Sequence, residues 1–104
     1  MRIKTIDIQA KEWRDNINGN TYYSARVTLN YGIANEKRYY IPFQYGNAYG
    51  MAEPEILTIL INDGLADNTK YSSFRKWITE EKIIKREFTE KNCRQRDVKA
   101  WGRV

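Results

Sequence analysis

The sequence predicts an α+β domain: an antiparallel three- or four-stranded meander with one or two helices packed on one face. Three observations carry this expectation. Thr21–Tyr31 and Lys37–Tyr45 alternate apolar and polar residues, as strands with one buried face do. Asn18-Gly19 lies just before the first of them, and Asn-Gly favours the tight turn of a hairpin because both residues accept positive φ. Glu53–Ile61 is then strongly apolar behind a proline, as expected of a helix that covers a sheet. The 104 residues suffice for a single domain with one core.

Arg2–Lys11 reads as the first strand. Ile6, Ile8 and Ala10 share one face and Asp7, Gln9 and Lys11 the other. Ile3 and Trp13 are out of step with the apolar face, so a bend or bulge is expected at both ends. Across Asn16–Asn20 this strand should pair antiparallel with the next. In Thr21–Tyr31 the apolar face is Tyr23, Ala25, Val27, Leu29 and Tyr31. In Lys37–Tyr45 it is Tyr39, Ile41, Phe43 and Tyr45, opposite Arg38, Tyr40, Pro42 and Gln44. The core drawn from this hairpin is Tyr23, Val27, Leu29, Tyr39, Ile41 and Phe43. Pro42 has no N–H to give a ladder, which places the strand at an edge or a break in pairing.

Gly46–Gly50 reads as a flexible connector, a turn with tyrosines over the sheet edge rather than a binding loop. The first helix should open at Glu53-Pro54-Glu55 and end at Asn62-Asp63-Gly64. Leu65–Lys70 is a polar link. Ser72 or Ser73 can cap a second helix running to about Glu81. Ile83–Thr89 fits both alternations, with a strand favoured over 83–90. Arg96–Trp101 forms a short last helix, with Val98 and Trp101 on one face and Gly102 after it.

Residues 1–81 carry ten Lys/Arg and ten Asp/Glu; residues 82–104 carry eight against three, so the whole net charge of +5 lies there. Such concentration points to a polyanionic partner more than an even spread would. No histidine is present, which removes the usual general base and the commonest metal ligand. No phosphate-binding loop, dinucleotide fingerprint, metal-ligand cluster or nucleophile elbow is found. Cys93 lies between Lys91 and Arg94, which could lower its pKa, but a half-buried structural thiol fits better without a histidine. Asp63 and Asp67 fit solvated capping. The expectation is a protein that is not an enzyme and needs no cofactor. A lone cysteine allows no internal disulfide, there is no apolar run of membrane-spanning length, and the N-terminus lacks a signal-peptide pattern; together these point to the cytoplasm.

Eight residues are candidates for binding. Tyr22, Arg26, Arg38 and Tyr40 share the polar sheet face, where tyrosines can stack on bases and arginines can meet phosphates. Arg94, Arg96, Lys99 and Arg103 form the basic segment that could extend this track. Cross-strand Tyr–Arg pairs also simply stabilise sheets. The alternative is a protein interface built on an edge strand and tyrosine-rich loops, which exposure of Tyr45, Tyr49 or Trp101 would support.

Asn18-Gly19-Asn20-Thr21-Tyr22-Tyr23, Pro42-Phe43-Gln44-Tyr45-Gly46 and Gln95–Gly102 resemble segments of small tailed-phage proteins. The shared segments contain no functional motif, so no site residue is carried over. The resemblance implies a protein of the host-cell cytoplasm that engages or inhibits a host or defence protein complex handling nucleic acid. Direct nucleic-acid binding is the second expectation, and neither involves a membrane.

Overall fold

The structure, a computed structural model, describes residues 2–67 and 71–103. Of the polar link expected over 65–70, residues 68–70 lie outside the described residues. The elements are β1 (Thr5–Asp15), β2 (Asn20–Leu29), β3 (Lys37–Tyr45), α1 (Ala48–Asn62), α2 (Phe74–Glu81), β4 (Ile84–Glu90) and α3 (Gln95–Trp101). They form an α+β fold with a four-stranded mixed sheet in the order β3-β2-β1-β4. The first three strands are the expected meander. The fourth joins β1 on its other side and runs parallel to it, so the sheet is not wholly antiparallel. A parallel partner needs a crossover, and α1 and α2 supply it.

The β1–β2 hairpin turns as its sequence predicts. Gly19 has φ 74°, and its N–H donates to the Asp15 carbonyl at 2.7 Å. Pairing is then continuous from Asp15↔Asn20 to Ile6↔Leu29. The bulge expected near Trp13 is absent. β1 stays regular, and Trp13 faces away from the core because its position in the alternation says so.

The irregularity lies in β3. Tyr23 pairs with Gln44 but Ala25 pairs with Ile41, so Ser24 faces two residues, Pro42 and Phe43. Pro42 has no N–H to lose there. The extra residue reverses the alternation beyond it. Tyr39 and Ile41 face the core as expected, whereas Phe43 and Tyr45 turn to the other side. Tyr31 also leaves the core: β2 stops at Leu29, Asn30 adopts φ 54°, and Tyr31 is exposed. The buried Asn30 amide accepts from the Lys4 N–H (2.7 Å) and donates to the Arg2 carbonyl (3.0 Å), tying the chain before β1 to the end of β2.

α1 starts five residues before its expected opening. Asn47 is the cap, its side chain accepting from the Gly50 N–H at 2.9 Å, so the expected connector supplies the first turn. Ala48 N–H donates to the buried Glu12 carboxylate at 2.8 Å. Pro54 therefore sits inside the helix, where it removes the bond to the Gly50 carbonyl. Gly50 and Pro54 are both exposed, so water can serve that carbonyl. Ala52, Ile56 and Leu60 pack with Ile6, Ile8, Tyr23, Ala25, Val27, Leu29 and Ile41 on the inner face of the sheet. α2, capped by Ser73, adds Phe74 and Trp77 to this cluster.

The last helix corrects a further expectation, that the helices share one face of the sheet. α3 packs on the outer face, not beside α1 and α2. Its buried Val98 stands apart from the main core. No helix among the described residues is long and apolar enough to cross a membrane.

Candidate binding surface on the outer face

The outer face presents Gln9, Lys11 and Trp13 from β1, Tyr22, Ser24 and Arg26 from β2, and Tyr40, Phe43 and Tyr45 from β3. Seven residues of α3 make too short a helix to persist alone. It is held by directional bonds. Ser24 Oγ donates to the Val98 carbonyl at 2.5 Å, Arg26 Nε to the Trp101 carbonyl at 3.0 Å, and Trp101 Nε1 to the Gln9 carbonyl at 2.8 Å. The Arg26 guanidinium lies 3.8 Å from the Trp101 ring centre and 5.7 Å from that of Tyr40; Lys11 Nζ is 4.8 Å from the Trp101 ring. These are cation–π distances. Gly102 seats the end of the helix on the β3 bulge. A Cβ there would lie 2.7 Å from the Ile41 carbonyl oxygen and 2.8 Å from Ser24 Cβ.

The eight candidate residues therefore divide. Arg26 is held against Trp101 with Tyr40 beside it, so the two do not form an open stacking track. Tyr22 belongs to an aromatic ledge: it stacks on Phe43 at 5.2 Å, lies 5.5 Å from Trp13 and meets Tyr45 edge-on at 5.7 Å. Lys99 Nζ stands 5.3 Å over the Phe43 ring, which brings one basic-segment residue to the ledge. Arg94 occupies the cap position of α3 without a side-chain cap bond and pairs with Asp97 at 3.1 Å. Arg38, Arg96 and Arg103 are exposed, and among the described residues none has a carboxylate within ion-pair distance. Arg38 is not gathered with the ledge: it lies at the start of β3, opposite Thr28.

The carboxylates near this face are already engaged. Asp7 pairs with Arg86 (2.7 Å), Glu90 with Lys11 (3.3 Å) and Asp97 with Arg94. The basic segment thus folds back onto the outer face and leaves it with surplus positive charge. Cys93 is half-buried, as the favoured reading had it: burial pushes its thiol pKa up, and Glu90 adds to the rise, instead of the lowering that Lys91 and Arg94 could have caused. Asp63, set aside as a cap, does cap α1, and it also accepts from Lys37 (2.6 Å) and Tyr39.

The sequence reading placed Lys11 on the polar face but did not count it among the binding candidates, and it missed Trp13 and Phe43 as outer-face residues. Trp13 was signalled by its mismatch with Ile6, Ile8 and Ala10. Phe43 was hidden by the bulge. Tyr45 and Tyr49, at the β3–α1 corner, are 64% and 90% exposed, with Met51 beside them; Trp101 is only partly exposed. Among the described residues no three His, Cys, Asp or Glu side chains gather to hold a metal. A cavity of about 730 Å³ is lined by residues such as Arg2, Ile3, Trp77 and Ile83, away from this face.

No protein-family model, curated protein or solved structure matches the chain.

Proposed function

We propose that the chain is a non-enzymatic binding protein whose partner is another protein, held at the corner where β3 meets α1 and along the adjoining aromatic ledge. The observation that carries this reading is the exposure of Tyr45, whose ring meets Tyr22 of the ledge with Trp13 and Phe43, and of Tyr49 in the first turn of α1. Tyrosine and tryptophan supply large contact areas at low entropic cost, and with arginine they dominate binding hot spots. Lys99 over Phe43 and the exposed Arg96 give this surface a positive rim, so the fitting partner surface is acidic. A host or defence complex is the partner class that the phage resemblance implies.

The second reading is direct nucleic-acid binding. It is favoured by Arg38, Arg96 and Arg103, which have no carboxylate partner among the described residues. Against it, α3 covers the sheet positions where bases would stack.

A pull-down from lysate with and without nuclease separates the two readings. The protein reading expects capture that survives nuclease and moderate salt and is lost in Tyr45→Ala/Tyr49→Ala. The nucleic-acid reading expects capture that nuclease abolishes, falls steeply with salt, and is lost on changing Arg94, Arg96 and Lys99 to Glu. Capture indifferent to the tyrosine substitutions would overturn the first reading; capture indifferent to the charge reversal would overturn the second.

A further inference from the structure

β4 is an open edge of the sheet, and its two faces match a second copy of themselves. The Ile84 N–H donates to the Lys4 carbonyl at 3.0 Å, and β4 then runs parallel to β1 with Ile6↔Lys85 and Ile8↔Glu87. In a parallel ladder alternate residues bond to the neighbour. Ile84, Arg86, Phe88 and Glu90 therefore direct their backbone groups to β1. Lys85, Glu87 and Thr89 direct theirs outward, where no strand of the described residues lies. Ile84 and Phe88 are 62% and 67% exposed on the outer face, beside Arg86, which grips Asp7.

We propose that β4 pairs antiparallel with β4 of a second copy, with Arg86 opposite Arg86 at the two-fold axis. Three features fix this register. Lys85, which binds Glu53 at 2.6 Å and its own Glu87 at 3.4 Å, then also faces the other copy's Glu87 on the inner face, joining two such charge networks symmetrically, and the outward backbone groups of Lys85 and Glu87 form the hydrogen-bonded pairs. Ile84 then faces Phe88 on the outer face at a non-hydrogen-bonded position, where side chains approach most closely. Each Arg86 is already neutralised by its own Asp7 at 2.7 and 2.9 Å, so the residue on the axis carries little free charge. Moving the register by two residues would set Glu87 against Glu87 and Ile84 against Glu90, mismatching both faces. A one-residue shift would set the inner face of one copy beside the outer face of the other. Lys85 and Glu87 exclude most other edges, as charged edge residues do, and admit this one.

Strand addition over seven residues buries less than a standard interface of about 1,600 Å², so the dimer is transient, with a dissociation constant in the range of about 1 to 100 μM. The proposal goes beyond the partner reading above and does not depend on it. Sedimentation of the full chain from about 1 μM to 1 mM should show a monomer–dimer equilibrium. Amide exchange should show protection of Lys85, Glu87 and Thr89 that rises with concentration, against constant protection of Arg86 and Phe88. Lys85→Glu and Glu87→Lys should each weaken the dimer by about tenfold or more, and the triple variant Glu53→Lys/Lys85→Glu/Glu87→Lys, which keeps the pairing of residues 53 and 85, should restore it. Glu87→Pro removes an outward N–H without touching the β1 ladder and should abolish pairing, while the constant protection at Arg86 and Phe88 reports that β4 remains in place. A chain monomeric at 1 mM, or a dimer that the triple charge swap does not restore, overturns the proposal.

Discussion

The two faces of the sheet are closed by different forces. On the inner face α1 brings Ala52, Ile56 and Leu60 against Ile8, Val27, Leu29 and Ile41, an apolar contact without direction. The same dry surroundings push the Tyr23 phenol up to about 12. On the outer face α3 contributes one fully buried apolar residue, Val98, and is fixed by three side-chain hydrogen bonds to named atoms. Apolar contact supplies most of the free energy but tolerates sliding. Hydrogen bonds and cation–π contacts supply less, yet they allow one position. The inner face therefore governs whether the chain folds, and the outer face governs where its charges stand.

The largest effect should come from the inner face. Leu60→Ala empties a fully buried site and should cost about 2–5 kcal/mol in urea unfolding, with all probes moving together. An outer-face change should be smaller and local. Gly102→Ala forces a methyl against the Ile41 carbonyl and Ser24, costing about 1–3 kcal/mol. Its signature would be altered Trp101 fluorescence at unchanged far-ultraviolet dichroism. If Gly102→Ala lowered secondary structure as much as Leu60→Ala, the division between the faces would fail. Ser24→Ala loses one hydrogen bond to α3 and should cost about 1 kcal/mol, read as faster amide exchange in residues 95–101. The smallest effect belongs to neither face. Lys37 and the Tyr39 hydroxyl hold the Asp63 carboxyl below its ordinary value. A lowered folded pKa contributes stability above the unfolded value of 3.8, and that contribution fades as pH falls through the folded value. Asp63→Asn should therefore lower stability slightly at neutral pH and leave it almost unchanged below the folded value, which flattens the acid limb of the stability curve read by urea unfolding against pH.

Legibility in the sequence follows the same division. Alternation in 21–29, the Asn18-Gly19 turn, the Ser73 cap and the strand over 84–90 were readable because each is decided within a few residues. α1 was misread at its start. Proline is commonest in a first turn, but here the Asn47 cap and the Glu12 carboxylate, 35 positions before it in the chain, set the beginning. The face turned by Phe43 depended on one extra residue opposite Ser24, which Pro42 hinted at without locating. The position of α3 was the least readable. Arg96–Trp101 announces a helix, but its docking depends on Ser24, Arg26 and Gln9, polar residues that look ordinary on any exposed strand. Of the eight candidate residues, Arg26 was read as open surface and serves the seat of α3 with Tyr40 beside it, while Arg94 pairs with Asp97 and Lys99 reaches Phe43, contacts that no local pattern announces.

β1 lies in the middle of the sheet, yet its two neighbours reach it by very different routes. β2 arrives through a four-residue turn, whereas Arg86 of β4 meets Asp7 across 79 positions. Closing so long a loop is slow because its entropy is lost before any contact is gained. The meander should thus assemble early, with one side of its central strand uncovered until residues 84–90 dock. In stopped-flow refolding, Trp13 should reach its native environment before Trp77 and Trp101 do; the opposite order would mean that the long crossover, not the hairpin, organises the sheet. In that interval the bare side of β1 is the place where a foreign strand could enter, which makes the speed of the crossover, and not only the final stability, a determinant of how much protein stays out of aggregates.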